Sequence, residues 1–321
     1  MERILITGAG GYIGSNAAEY FVKQGYEVTG MVHHRIAPRF TQCGAKSVQA
    51  DLNELDSLDA LFVNEYDYVL HIAARASDVG RDELFRISNY EAVKKLATLA
   101  MQHGVRRFVY LSTADVYGLH DFHGEGEEQL SFDETVTNPY PKYKIMSEKW
   151  LAENLPHERF SCVRPCVVFG HGDTTITPRA IDYLKHSPFL FHFGKWKGRN
   201  RWPLAHVENV CRTLHAAMLL PEAGGQGVTV LDSKVTTLSD YYHELAREYL
   251  PEKRIREISL PLWTIWPFAW LSTTLSHTQP LFDPTLYALD TIIHNLDFSN
   301  QRMLAWLAAA GLKEYHYDSY R

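Results

Sequence analysis

The chain has 321 residues, 45% apolar and 22% charged, with 32 Lys and Arg against 38 Asp and Glu for a formal charge of -6. At about 150 residues per domain the length allows two domains, or one large α/β body with a smaller lobe. The composition excludes a disordered chain, a collagen-like repeat and a disulfide miniprotein, and the absence of any basic run argues against a nucleic-acid partner.

In chain order, Ile4-Leu5-Ile6 is a short apolar run that stops at Gly8, and Ile13, Ala17 and Phe21 form the stripe of an amphipathic helix over 13–24. Strands are expected at 28–32, 47–50 and 68–72, with helical patterning over 54–62 between the last two. A long helix over 82–102 ends at Gly104, and strands follow at 108–111 and 160–163. Six strands by residue 164, alternating with helices, predict a Rossmann-type doubly wound parallel sheet covered on both faces. The second half loses this alternation. Residues 165–205 read as loop-rich with one helix at 178–186; helices return at 207–220 and 238–249, with a strand at 228–231 between them. The expected division is a dinucleotide-binding domain over 1–170, with returning segments near 205–235, and a smaller C-terminal substrate lobe over 171–321.

No charged side chain occurs between Glu257 and Asp283, although Trp263, Trp266, Phe268, Trp270 and Leu271 do. Pro261, Pro267 and Pro280 interrupt this stretch, so a buried lid or a subunit contact is expected ahead of shallow membrane contact, and a membrane span is not expected. Cys43, Cys162, Cys166 and Cys211 make no CxxC pair, and the first residues show no export signal; a reducing, cytoplasmic setting is the expectation.

Thr7-Gly8-Ala9-Gly10-Gly11-Tyr12-Ile13-Gly14 follows a strand and opens a helix, the context that makes a glycine triplet a phosphate-binding loop. Gly8 permits the turn, Gly11 the approach of a pyrophosphate, Gly14 close helix–strand packing, and the helix N-terminus offers free N–H groups. Where an NAD site normally has a carboxylate after the second strand, this chain has His33-His34-Arg35. Arg35 with either His would face a 2′-phosphate, which tilts the expectation to NADP over NAD unless these are plain surface residues. Asp51-Leu52 sits where a side chain meets the adenine.

Tyr140 and Lys144, after Asn138-Pro139, share one helix face. A phenol is a weak base at a pKa of about 10, but a neighbouring ammonium and a helix N-terminus favour phenolate, making Tyr140 a base for an alcohol proton or an acid for the reverse reaction. Upstream, Leu111-Ser112-Thr113-Ala114-Asp115-Val116-Tyr117-Gly118 ends a strand, where ligands sit in such sheets. There Thr113 would orient the substrate oxygen toward Tyr140.

With the glycine loop, Asp51-Leu52, His71-Ile72-Ala73-Ala74, Asn89, Ser112-Thr113, Tyr140 with Lys144 and Glu148, and Arg164-Pro165 in order, the chain resembles the extended short-chain dehydrogenase/reductases, the NAD-dependent epimerase/dehydratase family. The resemblance implies that Thr113 is the catalytic Ser/Thr, Tyr140 the acid/base, and Lys144 the group that lowers its pKa and holds the nicotinamide ribose. Ser112, Ala73 and Ala74 would line the cofactor, and Pro165 and Val167 would approach the nicotinamide. Ala114 stands where related dehydratases carry the first of two acids, which disfavours dehydration. The segments at 163–173, Pro178-Arg179, His206 to Val210 and Leu260 to Trp263 are more similar to the 3β-hydroxysteroid and sterol dehydrogenase branch, with Arg179 and His206 as substrate-side candidates.

The expected activity is hydride transfer between NAD(P) and a secondary alcohol or ketone on a bulky apolar small molecule. The alternatives are a nucleotide-sugar epimerase with transient hydride transfer and a non-catalytic NAD(P) sensor. Homodimers are common among similar proteins, so a homodimer is the assembly the resemblance suggests. No metal is expected, since His120, His123, Glu125, Glu127 and Glu128 read as a solvated loop. Lys195, Lys197, Arg199 and Arg201 read as a charged surface or a substrate-phosphate contact.

Overall fold

In the computed structural model, which describes residues 1–34, 36–276 and 279–320, the alternating apolar runs assemble into one parallel sheet. β1 (Arg3–Thr7), α1 (Tyr12–Lys23), β2 (Glu27–Val32), α2 (Pro38–Gln42) and β3 (Lys46–Gln49) wind in one direction. β4 (Tyr68–His71), α3 (Asp82–Arg86), α4 (Ala92–Gln102) and β5 (Arg107–Leu111) wind in the other, followed by the outlying β6 (Phe122–Glu125), then α5 (Pro139–Asn154) and β7 (Phe160–Pro165). Next come β8 (Val167–Phe169), α6 (Ile176–His186), β9 (Leu190–Phe193), β10 (Leu204–His206), α7 (Val207–Leu219) and β11 (Gly227–Val230). The chain ends with α8 (Leu238–Tyr249), β12 (Glu257–Leu260), α9 (Trp266–Leu275), α10 (Leu286–Ile293), β13 (Leu296–Phe298) and α11 (Gln301–Ala309).

The seven-stranded sheet has the order β11-β7-β5-β4-β1-β2-β3, all parallel, a doubly wound Rossmann-type α/β fold. Side chains alternate across it. Ile4, Ile6, Leu70 and Val109 pack with Ala17 and Phe21 of α1 and with Val210 and Leu214 of α7. Leu5, Val69, Phe108 and Tyr110 face the other way, onto Val93 and Leu96 of α4 and Leu151 of α5. Burial on both faces explains why these strands read as unbroken apolar runs. The winding reverses between β1 and β4, which opens a crevice at their carboxyl ends.

Four expectations change. The 54–62 segment is a three-residue-per-turn helix over Leu55–Val63. The 82–102 helix contains a π turn at Ile87–Glu91. The acidic loop is not wholly solvated: β6 pairs with β13, and the buried Glu127 carboxylate accepts the Thr229 N–H at 2.6 Å. The uncharged 258–282 segment is not a buried lid. In α9, Ala269 and Ser272 face inward, while Phe268 is 57% exposed and Trp270 47%, and Trp263, in the short turn before the helix, is 75% exposed. No helix among the described residues is long and apolar enough to cross a membrane.

Candidate active site

The crevice holds a cavity of about 900 Å³ running from the glycine loop to Tyr140 and Tyr287. At one end the loop is fitted by sterics. Gly8 has φ +70°, and a Cβ there would lie 2.8 Å from Ala73 Cα; a Cβ on Gly14 would lie 2.1 Å from Gly8 O. Gly11 is the N-cap of α1 and contributes no side-chain acceptor, so the first N–H groups of α1 stay available to an anion. Tyr12 and Ile13 line the same space.

Thr7, beneath the loop, ties it to β4. Its hydroxyl accepts from the Ile72 and Ala73 N–H groups, both at 3.1 Å, so its own proton goes to His71 Nδ1 at 2.7 Å. Burial, and then the charge of Lys144, drives His71 down to about 3, so its ring is neutral. Ala73 and Ala74 then continue into the cavity. Asn89, on the π turn, holds this segment by accepting the Arg75 N–H (2.7 Å) and donating to the Arg75 carbonyl (2.9 Å).

Where the ends of β2 and β3 meet the cavity, His33 Nε2 lies 3.1 Å from Asp51 Oδ2, and the ring centres of His33 and His34 are 3.6 Å apart. Burial pushes the Asp51 carboxyl up, but bonds from Asn53 and the nearby imidazoles outweigh it, leaving a net downward shift. Leu52 adds an apolar wall. Arg35 lies outside the described residues.

At the other end of the cavity, Asn138 caps α5, accepting the Tyr140 N–H at 2.9 Å and donating to the Asp78 carbonyl at 3.0 Å. Tyr140 therefore enters the cavity from the first turn, with Thr113, the residue after Ser112 at the end of β5, opposite it. Lys144, one turn on, is 2% exposed; its ammonium donates to the Leu111 carbonyl at 2.6 Å and lies 4.5 Å from the centre of the Tyr110 ring. Burial lowers its pKa to about 7, against the opposing charge of Glu148. Contrary to the expectation of a phenolate, Tyr140 is raised, first by burial, then by the Asp115 carboxylate, with the Thr113 hydroxyl pulling the other way.

The remaining predicted residues divide. Val167 and Arg179 line the cavity; Ser112, Lys144 and Pro165 are buried and do not. His206 also stays outside it. Its Nδ1 caps α7 by accepting the Glu208 N–H, its ring is stacked on Tyr317, and burial lowers its pKa to about 4, so it is a structural group away from the substrate space. Trp196, among the 195–201 cations, donates to Asp121 at 2.9 Å and Lys195 pairs with the same carboxylate, outside the cavity. Among the described residues no trio of His, Cys, Asp or Glu is gathered to hold a metal.

Two groups that line the cavity have no local sequence signal. Tyr287 of α10 donates to Asp115, and Asp78 accepts from both Arg179 and Thr285. Both come from the meeting of segments about 100 to 200 residues apart.

Residues 4–231 match the model of the NAD dependent epimerase/dehydratase family. The chain belongs to that family. Among its curated relatives, the "Uncharacterized protein YbjS" of Escherichia coli (strain K12) is 26% identical over 272 residues, covering 81% of this chain and 79% of that one. A Mycobacterium tuberculosis (strain ATCC 25618 / H37Rv) "3 beta-hydroxysteroid dehydrogenase/Delta 5-->4-isomerase" is 25% identical over 303 residues, 88% of this chain and 80% of that one. The solved "Epimerase Mth375" of Methanothermobacter thermautotrophicus matches in fold with a TM-score of 0.76 at 20% identity, covering 99% of this chain and 89% of that one. As an extended short-chain dehydrogenase/reductase of the epimerase/dehydratase family, the chain is an NAD-dependent enzyme. The Cβ-excluding glycine cradle and the open start of α1 suit the pyrophosphate of that cofactor.

Proposed function

We propose that this enzyme interconverts a secondary alcohol and a ketone on a bulky, uncharged, largely apolar substrate, with Tyr140 as acid/base. The nicotinamide, when bound, supplies or accepts the hydride. Tyr140 takes the alcohol proton or donates it to the ketone oxygen, Thr113 turns its one proton from Asp115 to that oxygen when substrate binds, and Lys144 stiffens the first turns of α5 through Leu111. In this reading residues 1–170, with α7 and β11, hold the cofactor, while later segments wall the substrate.

The observation that carries the substrate class is the state of Arg179. Its guanidinium already pairs with two carboxylates, donating to Asp283 Oδ2 at 2.8 Å and to Asp78 Oδ2 at 3.1 Å. The cavity's other arginine, Arg75, lies over the Phe85 ring at 5.9 Å. A nucleotide-sugar diphosphate would have to displace those carboxylates, whereas an apolar alcohol meets Ile176, Val167 and Tyr287 without such a cost. The steroid-dehydrogenase name of the mycobacterial relative agrees with this reading.

For the cofactor, the Asp51 carboxylate, 3.1 Å from His33 Nε2 in the cavity wall, supports NAD over the NADP tilt of the sequence, because it offers an acceptor to ribose hydroxyls and would repel a 2′-phosphate.

Tyr140→Phe tests the central claim. Hydride transfer from secondary alcohols, followed by nicotinamide absorbance, should fall by at least a thousandfold while cofactor affinity changes less than about threefold. A Phe variant with near-normal rates would refute the role of Tyr140, and turnover without any absorbance change would favour the epimerase alternative.

A further inference from the structure

Asp115 sits two residues beyond Thr113, in the short turn that follows β5, with its carboxylate buried in the wall of the reacting end. Two hydroxyls donate to the same oxygen, Oδ2: that of Thr113 at 3.0 Å and that of Tyr287 from α10. The Asp115 N–H closes a small ring by donating back to Thr113 Oγ1 at 3.3 Å. Burial pushes the Asp115 carboxyl up while the two hydroxyls pull it back down, so the carboxylate, when ionised, stands one hydroxyl away from Tyr140, and its second donor comes from the segment that covers the substrate space.

We propose that Asp115 is a positioning residue that keeps Tyr140 a protonated phenol, with the Tyr287 hydroxyl limiting how strongly it does so, so that near neutral pH the site is biased to give a proton to a ketone rather than to take one from an alcohol. This inference rests on Tyr140 being the acid/base. The reasoning is electrostatic: in a site screened from water, a carboxylate beside a phenol opposes the phenolate, and a hydroxyl that donates to the carboxylate spreads its charge and weakens that opposition. Asp115 and Tyr287 therefore act on Tyr140 with opposite signs.

The other groups facing Tyr140 do not supply this bias. Lys144, on its own helix and 5.9 Å from its ring centre, acts toward phenolate. Tyr110 of β5 is buried and protonated. Asp78, from the segment after β4, and Asp283 share the one guanidinium of Arg179, from α6, and neither is joined to Tyr140 through a hydroxyl. Asp115, which pairs with no cation among the described residues, is the carboxylate that reaches the phenol through the Thr113 hydroxyl.

The test is a ¹³C NMR titration of protein labelled at Tyr Cζ, saturated with NAD⁺, with the Tyr140 resonance identified by its loss in Tyr140→Phe. In Asp115→Asn, which keeps the shape and an acceptor oxygen, the Tyr140 midpoint should fall by about one unit, a tenfold rise in phenolate at a given pH. In Tyr287→Phe it should rise, and the double variant should match Asp115→Asn because Tyr287 acts only through the carboxylate. General loosening of the site would move both single variants the same way. A midpoint unmoved by Asp115→Asn, or one that falls in Tyr287→Phe, overturns the proposal. Should Asp115→Asn not fold, the direction in Tyr287→Phe decides alone. Retained hydride transfer in Tyr140→Phe would instead sink the acid/base reading, a separate result from a separate measurement.

Discussion

Lys144 carries the sharpest conflict between function and stability at the scale of one residue. Its ammonium is fully enclosed, with one carbonyl and an aromatic face for partners, and burial brings its pKa from 10.5 to about 7. A lysine with a lowered folded pKa destabilises the fold fully below that value, where both states are protonated. The penalty fades as pH rises toward 10.5, because the unfolded chain then holds the extra proton and loses it. Lys144→Met removes the titration. In thermal melts of the cofactor-free protein, the stability of the wild type relative to Lys144→Met should therefore improve steadily from pH 7 to pH 10. A gap that is flat across that range would show that the lysine is not desolvated. The proposed function gives this buried charge a task in the chemistry of the site, which is a reason for a core position to tolerate such a penalty.

At the scale of elements, the placement of Tyr140 depends on how α5 is clamped. Glu148, whose side chain is 3% exposed, accepts two bonds from Arg164 Nε at 3.0 and 3.1 Å and one from Nη2 at 2.6 Å, and Arg164 Nη1 donates to the Tyr117 hydroxyl at 2.7 Å. This joins α5, β7 and the turn after β5, the three pieces that meet behind the reacting end. A second tie comes from the π turn at Ile87–Glu91, whose Asn89 carbonyl accepts the Ser147 hydroxyl of α5 at 2.6 Å. Such wide turns leave backbone acceptors free for side chains from neighbouring elements. Arg164→Met strands the Glu148 carboxylate in the core and should cost about 3–5 kcal/mol in denaturant unfolding, whereas removing both charges together should cost much less. Equal losses for the single and the double change would argue against a coupled pair.

For the molecule as a whole, the aromatic face of α9 and its flanks is the largest departure from an ordinary soluble surface. Trp263, Trp266, Phe268, Trp270 and Leu275 all point outward, and Phe282 borders a cavity that also reaches Tyr140 and Arg179. Exposed apolar patches of this kind mark contact surfaces, and this one adjoins the cavity beside Tyr140. Because these side chains are outside the core, replacing Trp266 and Phe268 by Ser should leave folding stability within about 0.5 kcal/mol. The same change should lower the fluorescence of an apolar dye such as anilinonaphthalene sulfonate. A large drop in melting temperature would mean that the face packs against the chain itself.

The parts legible in the sequence are those written in short-range pattern. The alternation of apolar runs and helical stripes sufficed for the parallel sheet, because strands buried on both faces must be apolar throughout. The glycine loop was legible because steric demands at Gly8 and Gly14 admit no Cβ, and Tyr140 and Lys144 because a four-residue spacing puts them on one side of a helix. Tertiary structure alone decided the rest. Tyr287 reaches Asp115 across 172 positions and Arg179 reaches Asp283 across 104, separations at which no local periodicity exists. The upward shift of Tyr140 follows from burial and a neighbouring carboxylate, which are properties of its surroundings. The outward turn of α9 was hidden for a related reason: a helix apolar on nearly every side gives packing, rather than pattern, the choice of which face to bury.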